Sequence, residues 1–223
     1  ANGQSAIGSV TGEAGSGKTR LVSEALDSFP SRAVTIFSGA GAPNGETNVW
    51  APIATALFRR LELDQAAPPE LLREVSRAKG VELYGFEADD PVLDRFVEGV
   101  LHLLGYPSEL DHVPPAQARD ILFSLIVDGL LRRTPTGPVV LWIDDMQWAD
   151  ESDVLLLASL VHHVEGPVLL AFAYRDTEID EAHPLTSLLA DLPRLSCADQ
   201  LHLRGLAADA VQDLVAEAVG NRH

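Results

Sequence analysis

Gly12-Glu13-Ala14-Gly15-Ser16-Gly17-Lys18-Thr19 fills the pattern G-x-x-x-x-G-K-[ST] at every fixed position. The pattern describes a loop between a strand and a helix, with backbone N–H groups converging on anionic oxygens. Glycines allow that convergence because they carry no Cβ and adopt positive φ without strain. The lysine supplies a compact positive charge for the terminal phosphates of a nucleoside triphosphate, and the final hydroxyl supplies a hard oxygen ligand for Mg2+. The flanks agree with this reading. Ser5–Thr11 is expected to form a short strand, and Leu21, Val22, Ala25, Leu26 and Phe29 recur at helical spacing after the loop. The nucleotide-binding set is therefore Gly12, Glu13, Ala14, Gly15, Ser16, Gly17, Lys18, Thr19 and Arg20, with Thr19 also on the metal.

A partner for this loop lies more than a hundred residues downstream. Val139-Val140-Leu141-Trp142-Ile143-Asp144-Asp145 is an apolar run ending in two acids. Such a run reads as a strand buried on both faces. Its acids then emerge at the C-terminal edge of the sheet, where ligands bind in open α/β folds. Asp144 is placed on Mg2+, through water, since magnesium keeps most of its hydration shell. Asp145 is placed on the attacking water, as orienting group or base. The plainer reading of the pair is two solvated acids, or acids capping the next helix. A third buried run, Val168–Tyr174, delivers Arg175 to the same edge, where a guanidinium can contact a γ-phosphate. Its plainer reading is a surface pair with Asp176 or Glu178.

Composition narrows the remaining classes. The chain has 223 residues, 46% of them apolar, enough for a sizeable core. Sixteen basic against thirty-three acidic side chains give a net charge of −17, which disfavours direct nucleic-acid binding. A nucleotide is also an anion, but the loop creates a local positive site, and salt screens charges beyond about 8–10 Å. The single Cys197 permits no internal disulfide and points to the cytoplasm. No apolar run reaches membrane-spanning length, so no membrane partner is expected. There is no [NT]-K-x-D guanine motif and no L-S-G-G-Q-like signature.

Strands are expected at Ala33–Ser38, Pro138–Ile143, Pro167–Tyr174 and Gln200–Leu203 as well as before the loop. Helices are expected after Pro52, over Leu71–Lys79, after Asp90-Pro91, over Gln117–Arg133, over Asp150–Val164, over Leu185–Leu192 and over Ala207–Val219. Pro107–Pro115 is expected to be loop. Alternating strands and helices imply a parallel α/β sheet, with 50–133 forming an unusually long helical crossover. Residues 1–204 are read as the nucleotide-binding core and 205–223 as the start of a truncated helical lid, the whole being a piece of a larger protein.

These elements in this order resemble the STAND class of signalling ATPases, relatives of the AAA+ ATPases. GEAGSGKTRL at 12–21, LWIDDMQWAD at 141–150 and AYRDTE at 173–178, followed by His183-Pro184-Leu185, are similar to the ATPase module of large actinobacterial regulators of the LuxR and SARP types. The resemblance implies an AAA+-like three-layer P-loop fold with strand order 5-1-4-3-2. It implies a slowly ATP-hydrolysing switch that cycles ATP and ADP with Mg2+, assembles into homo-oligomers when ATP-bound, and works with other domains of a parent transcriptional regulator. By position, Lys18 takes the phosphate role, Asp144 the metal, Asp145 the catalytic acid and Arg175 the sensor. Arg194 stands where AAA+ proteins place an arginine finger. Asp145 replaces the glutamate usual in fast motors. Gln147 stands where the family often has histidine and receives no chemistry, Trp148 is assigned to packing, and Asp150 is an N-cap candidate. The alternatives left open are a non-hydrolysing nucleotide-binding module and a small-molecule P-loop kinase.

Overall fold

Five runs of the sequence become five strands, all parallel: β1 (Ala6–Thr11), β2 (Thr35–Ala40), β3 (Val139–Asp144), β4 (Val168–Tyr174) and β5 (Ala198–His202). The computed structural model describes residues 5–29, 34–41, 59, 61–62, 67–125, 137–163, 166–207, 210–212 and 215–216. The strand order is β2-β3-β4-β1-β5, the expected 5-1-4-3-2 read from the other side. Registers such as Thr11↔Tyr174 and Ala40↔Asp144 bring the strand ends to one edge. The turns after β1, β3 and β4, three adjacent strands, therefore open side by side.

Among the described residues, the two sheet faces carry apolar clusters of unequal size. On one, Phe37, Leu141, Ile143, Leu170 and Phe172 pack into the main core with Leu156, Leu157 and Leu160 of α5 (Glu151–His163) and Leu185 and Leu188 of α6 (Leu185–Asp191). On the other, Val10, Trp142 and Ala173 form a small cluster with Val22 and Leu26 of α1 (Lys18–Asp27). The apolar stripe expected along α1 is thus only partly used. Val22 and Leu26, one turn apart, reach the sheet, while Leu21 and Phe29 stay 42% and 44% exposed. β3 is buried at all six positions, as its unbroken apolar run implied.

The helical crossover contributes α2 (Pro69–Tyr84), α3 (Pro91–Leu103) and α4 (Pro115–Ser124). α2 runs past its expected end at Lys79 because Gly80 marks a close crossing. A Cβ there would sit 2.6 Å from Leu93 Cδ1 of α3. Gly85, at φ 64°, closes the helix instead. α3 begins as expected, with the Val92 N–H donating to Asp90 Oδ1 at 2.8 Å and Pro91 in the first turn. The stretch expected as loop at Pro107–Pro115 holds a 3₁₀ turn, Glu109–His112, fixed by a reciprocal Ser108–Asp111 cap. β5 starts two residues before the expected Gln200, because an exposed edge strand carries no apolar run to announce it. No helix among the described residues is long and apolar enough to cross a membrane. Most of the helix expected after Pro52, the second half of the one expected over Gln117–Arg133, and most of 205–223 lie outside the described residues.

Candidate active site

Gly12 opens the loop after β1, and its lack of a Cβ is required by a neighbour. The Leu203 N–H donates to Thr11 O at 2.7 Å, and the Leu203 carbonyl oxygen would lie 2.2 Å from a Cβ on Gly12. Gly15 and Gly17 take φ of 77° and 93°, where other residues are strained. Gly17 caps α1, so the unpaired N–H groups of the helix's first turn face the loop. Glu13, Ala14 and Gly15 form its exposed crest, Arg20 lies exposed on α1, and the Ser16 N–H closes the turn onto Glu13 O at 3.2 Å.

Lys18 is 7% exposed and its ammonium curls back over the loop. Nζ donates to Gly12 O at 2.8 Å and to Glu13 O at 2.9 Å. An ammonium has three donors, so one remains for a phosphate oxygen. The Thr19 hydroxyl donates to Asp144 Oδ2 at 2.5 Å, joining residues 125 positions apart. Asp144 Oδ1 accepts the Asp145 N–H at 2.9 Å. Asp145 itself sits in the left-handed region, φ 52° and ψ 42°, which Asp tolerates better than most residues. That twist turns its side chain out of the strand direction and toward β4.

Arg175 meets it there. Its guanidinium is 3.9 Å from Asp145 Oδ1 and donates to Glu178 Oε1 at 2.7 Å. The Glu178 carboxylate, and more weakly Asp145 and Asp144, hold the guanidinium proton more tightly than usual. The surface pair with Glu178 and the contact toward Asp145 thus coexist. Gln147, to which the sequence assigned no chemistry, is 5% exposed and lies between the two. Its Nε2 donates to Asp145 Oδ1 at 2.8 Å, and its Oε1 accepts the Arg175 N–H at 3.2 Å.

Residues 1–171 match the family described as AAA ATPase domain. The chain belongs to the AAA ATPase domain family. ATP binding and hydrolysis are the activity of that family. No curated protein matches. Among solved structures, the AAA ATPase domain is similar to a chain from "Structure of Drosophila ORC bound to GC-rich DNA and Cdc6", at 12% identity and a TM-score of 0.38, covering 97% of this chain and 28% of that one.

The residues of the AAA ATPase domain fit magnesium. That ion needs one or two protein oxygens and keeps its waters. Thr19 Oγ1 and Asp144 Oδ2 offer such a pair, whereas no group of three or more His, Cys, Asp or Glu among the described residues forms a full cage. Arg194 lies elsewhere. It precedes β5, at the edge of the sheet opposite the loop, and pairs with Asp191 while remaining 76% exposed. Any arginine-finger role for it would concern a neighbouring copy. Trp148, expected to pack, is 41% exposed on the turn after Asp145. Asp150 is the N-cap of α5: its Oδ1 accepts the Asp153 N–H at 3.0 Å, and its own N–H donates to Asp153 Oδ2 at 3.3 Å.

Proposed function

We propose that this AAA ATPase domain is a slowly hydrolysing ATP switch of a STAND-type signalling or transcriptional regulator. The observation that carries the reading is the Thr19–Asp144 hydrogen bond, which brings the phosphate loop and the acidic strand end into one site. In it, Lys18 and the loop amides hold the β- and γ-phosphates. Thr19 and Asp144 hold Mg2+, which when bound neutralises developing phosphate charge. Asp145 orients a water and takes its proton as the water oxygen attacks the γ-phosphorus. The bond to the bridging oxygen breaks, releasing ADP and phosphate. Arg175 contacts the γ-phosphate and so distinguishes ATP from ADP.

Slowness fits the short reach of aspartate, whose side chain is one methylene shorter than the glutamate of fast motors. ATP-dependent assembly, with Arg194 offered to a second copy and other domains of a parent protein responding, is the output we assign to the switch. Calorimetric titration with Mg·ATP and Mg·ADP, followed by phosphate release on the same sample, tests the reading. Tight binding with slow release is expected. Binding without release would make the domain a non-hydrolysing module, and absence of binding would overturn the site.

A further inference from the structure

We infer that Gln147 is a positioning residue for the hydrolytic carboxylate, acting as a strut between Asp145 and the strand end that carries Arg175. This rests on the hydrolytic reading of the same site. A primary amide has one end that donates and one that accepts. Here the donating end meets a carboxylate oxygen, Asp145 Oδ1 at 2.8 Å, and the accepting end meets an N–H, that of Arg175 at 3.2 Å. The reverse orientation would set oxygen against oxygen and N–H against N–H, so the partners allow one placement. The side chain is 5% exposed, and little water competes for either bond.

The backbone of Gln147 is clamped as well. The Leu185 N–H donates to His183 Nδ1 at 3.1 Å, which puts the ring proton on Nε2. Nε2 then donates to the Gln147 carbonyl at 3.1 Å. On the far side, Gly41 lies against the turn so closely that a Cβ would be 2.6 Å from the Asp145 carbonyl oxygen. The main chain of the Asp145–Gln147 turn is thereby pinned from β2 and from the start of α6. What remains free is rotation of the Asp145 carboxylate. Gln147 removes that freedom by engaging Oδ1, which leaves Oδ2 to take a proton from water. The same amide engages the Arg175 backbone, so a shift of Arg175 toward a γ-phosphate moves the group that aims the acid.

The test uses the full chain and three variants: Gln147→Leu, Gln147→Glu and Gln147→His. Leucine removes both bonds. Glutamate keeps the size and the acceptor but loses the donor to Asp145. Histidine retains one donor and one acceptor. Loss of aim in a reacting group costs up to about 100-fold in rate. The leucine and glutamate variants should therefore lose kcat by about 10–100-fold, with Mg·ATP affinity by calorimetry unchanged and most of kcat kept in the histidine variant. Should the leucine variant not fold, the glutamate and histidine pair decides. Unchanged kcat in the glutamate variant overturns the inference alone. So does a parallel loss of kcat and affinity that histidine does not rescue, which would mark a scaffold residue. Absence of turnover in the unaltered chain overturns the hydrolytic reading, and this inference with it.

Discussion

The proposed switch gives Lys18 and Asp145 separable jobs, and single substitutions should separate them. A charge pair at 4 Å is worth about 4 kcal/mol at an effective dielectric of 20. Lys18→Ala should therefore weaken Mg·ATP binding by about three orders of magnitude at 1.4 kcal/mol per decade, measured by calorimetry; unchanged affinity would remove the phosphate role. Asp145→Asn should keep nucleotide affinity and lose turnover by about 10²–10⁴-fold, the range of general acid–base catalysis. Phosphate release at the unaltered rate would place the base elsewhere. Arg175→Ala should narrow the preference for ATP over ADP, since its guanidinium stands 3.9 Å from Asp145 at the same edge. Equal preference in both proteins would remove the sensing role. The residues behind these predictions were legible in the sequence because each is tied to a local pattern. Lys18 and Thr19 are set by glycine spacing, Asp144 and Asp145 by the end of an apolar run. Gln147 was not legible. Its partner Arg175 lies 28 residues away and is met through a backbone N–H, a contact that leaves no periodicity or composition behind.

At the scale of the element, α5 carries a pH dependence of its own. Burial, and then the neighbouring Asp150 carboxylate, push Asp153 from its ordinary 3.8 up to about 8. The folded chain thus holds a proton that the unfolded chain has released. Stability contributed at this position is fully present below about pH 4 and is lost as pH rises toward about 8. Asp153→Asn should flatten the change in melting temperature across that window. An identical slope in variant and parent would assign the dependence to other groups. The elements themselves were read unevenly. β3 and β4 were placed to within one residue because strands buried on both faces must be continuously apolar. α2 was read too short because a glycine that serves a helix crossing looks, in sequence, like one that ends a helix.

For the whole molecule, the sheet order follows from parallel strands and the helices that join them, and the candidate site lies on the turns of the three inner strands β3, β4 and β1. Ligand binding at that edge should be felt throughout the fold. At a free Mg·ATP concentration about 100 times Kd, linkage adds about 2.7 kcal/mol. For a chain of 223 residues that corresponds to roughly 5–10 °C in Tm at about 2–4 °C per kcal/mol. Differential scanning fluorimetry with and without nucleotide measures it, and no shift at that concentration would contradict binding to the folded state alone. The left-handed turn at Asp145 has one more consequence, for how such a domain changes over evolutionary time. Asparagine accepts that backbone geometry as readily as aspartate, and its amide oxygen can receive the same N–H from Gln147. The fold would register almost nothing if the acid were exchanged for its amide. Selection for a stable protein cannot keep this domain an enzyme; only selection for turnover can. With Asp145 in its proposed role, a descendant released from that demand would drift, without penalty to folding, into a protein that holds ATP and never lets it go by hydrolysis.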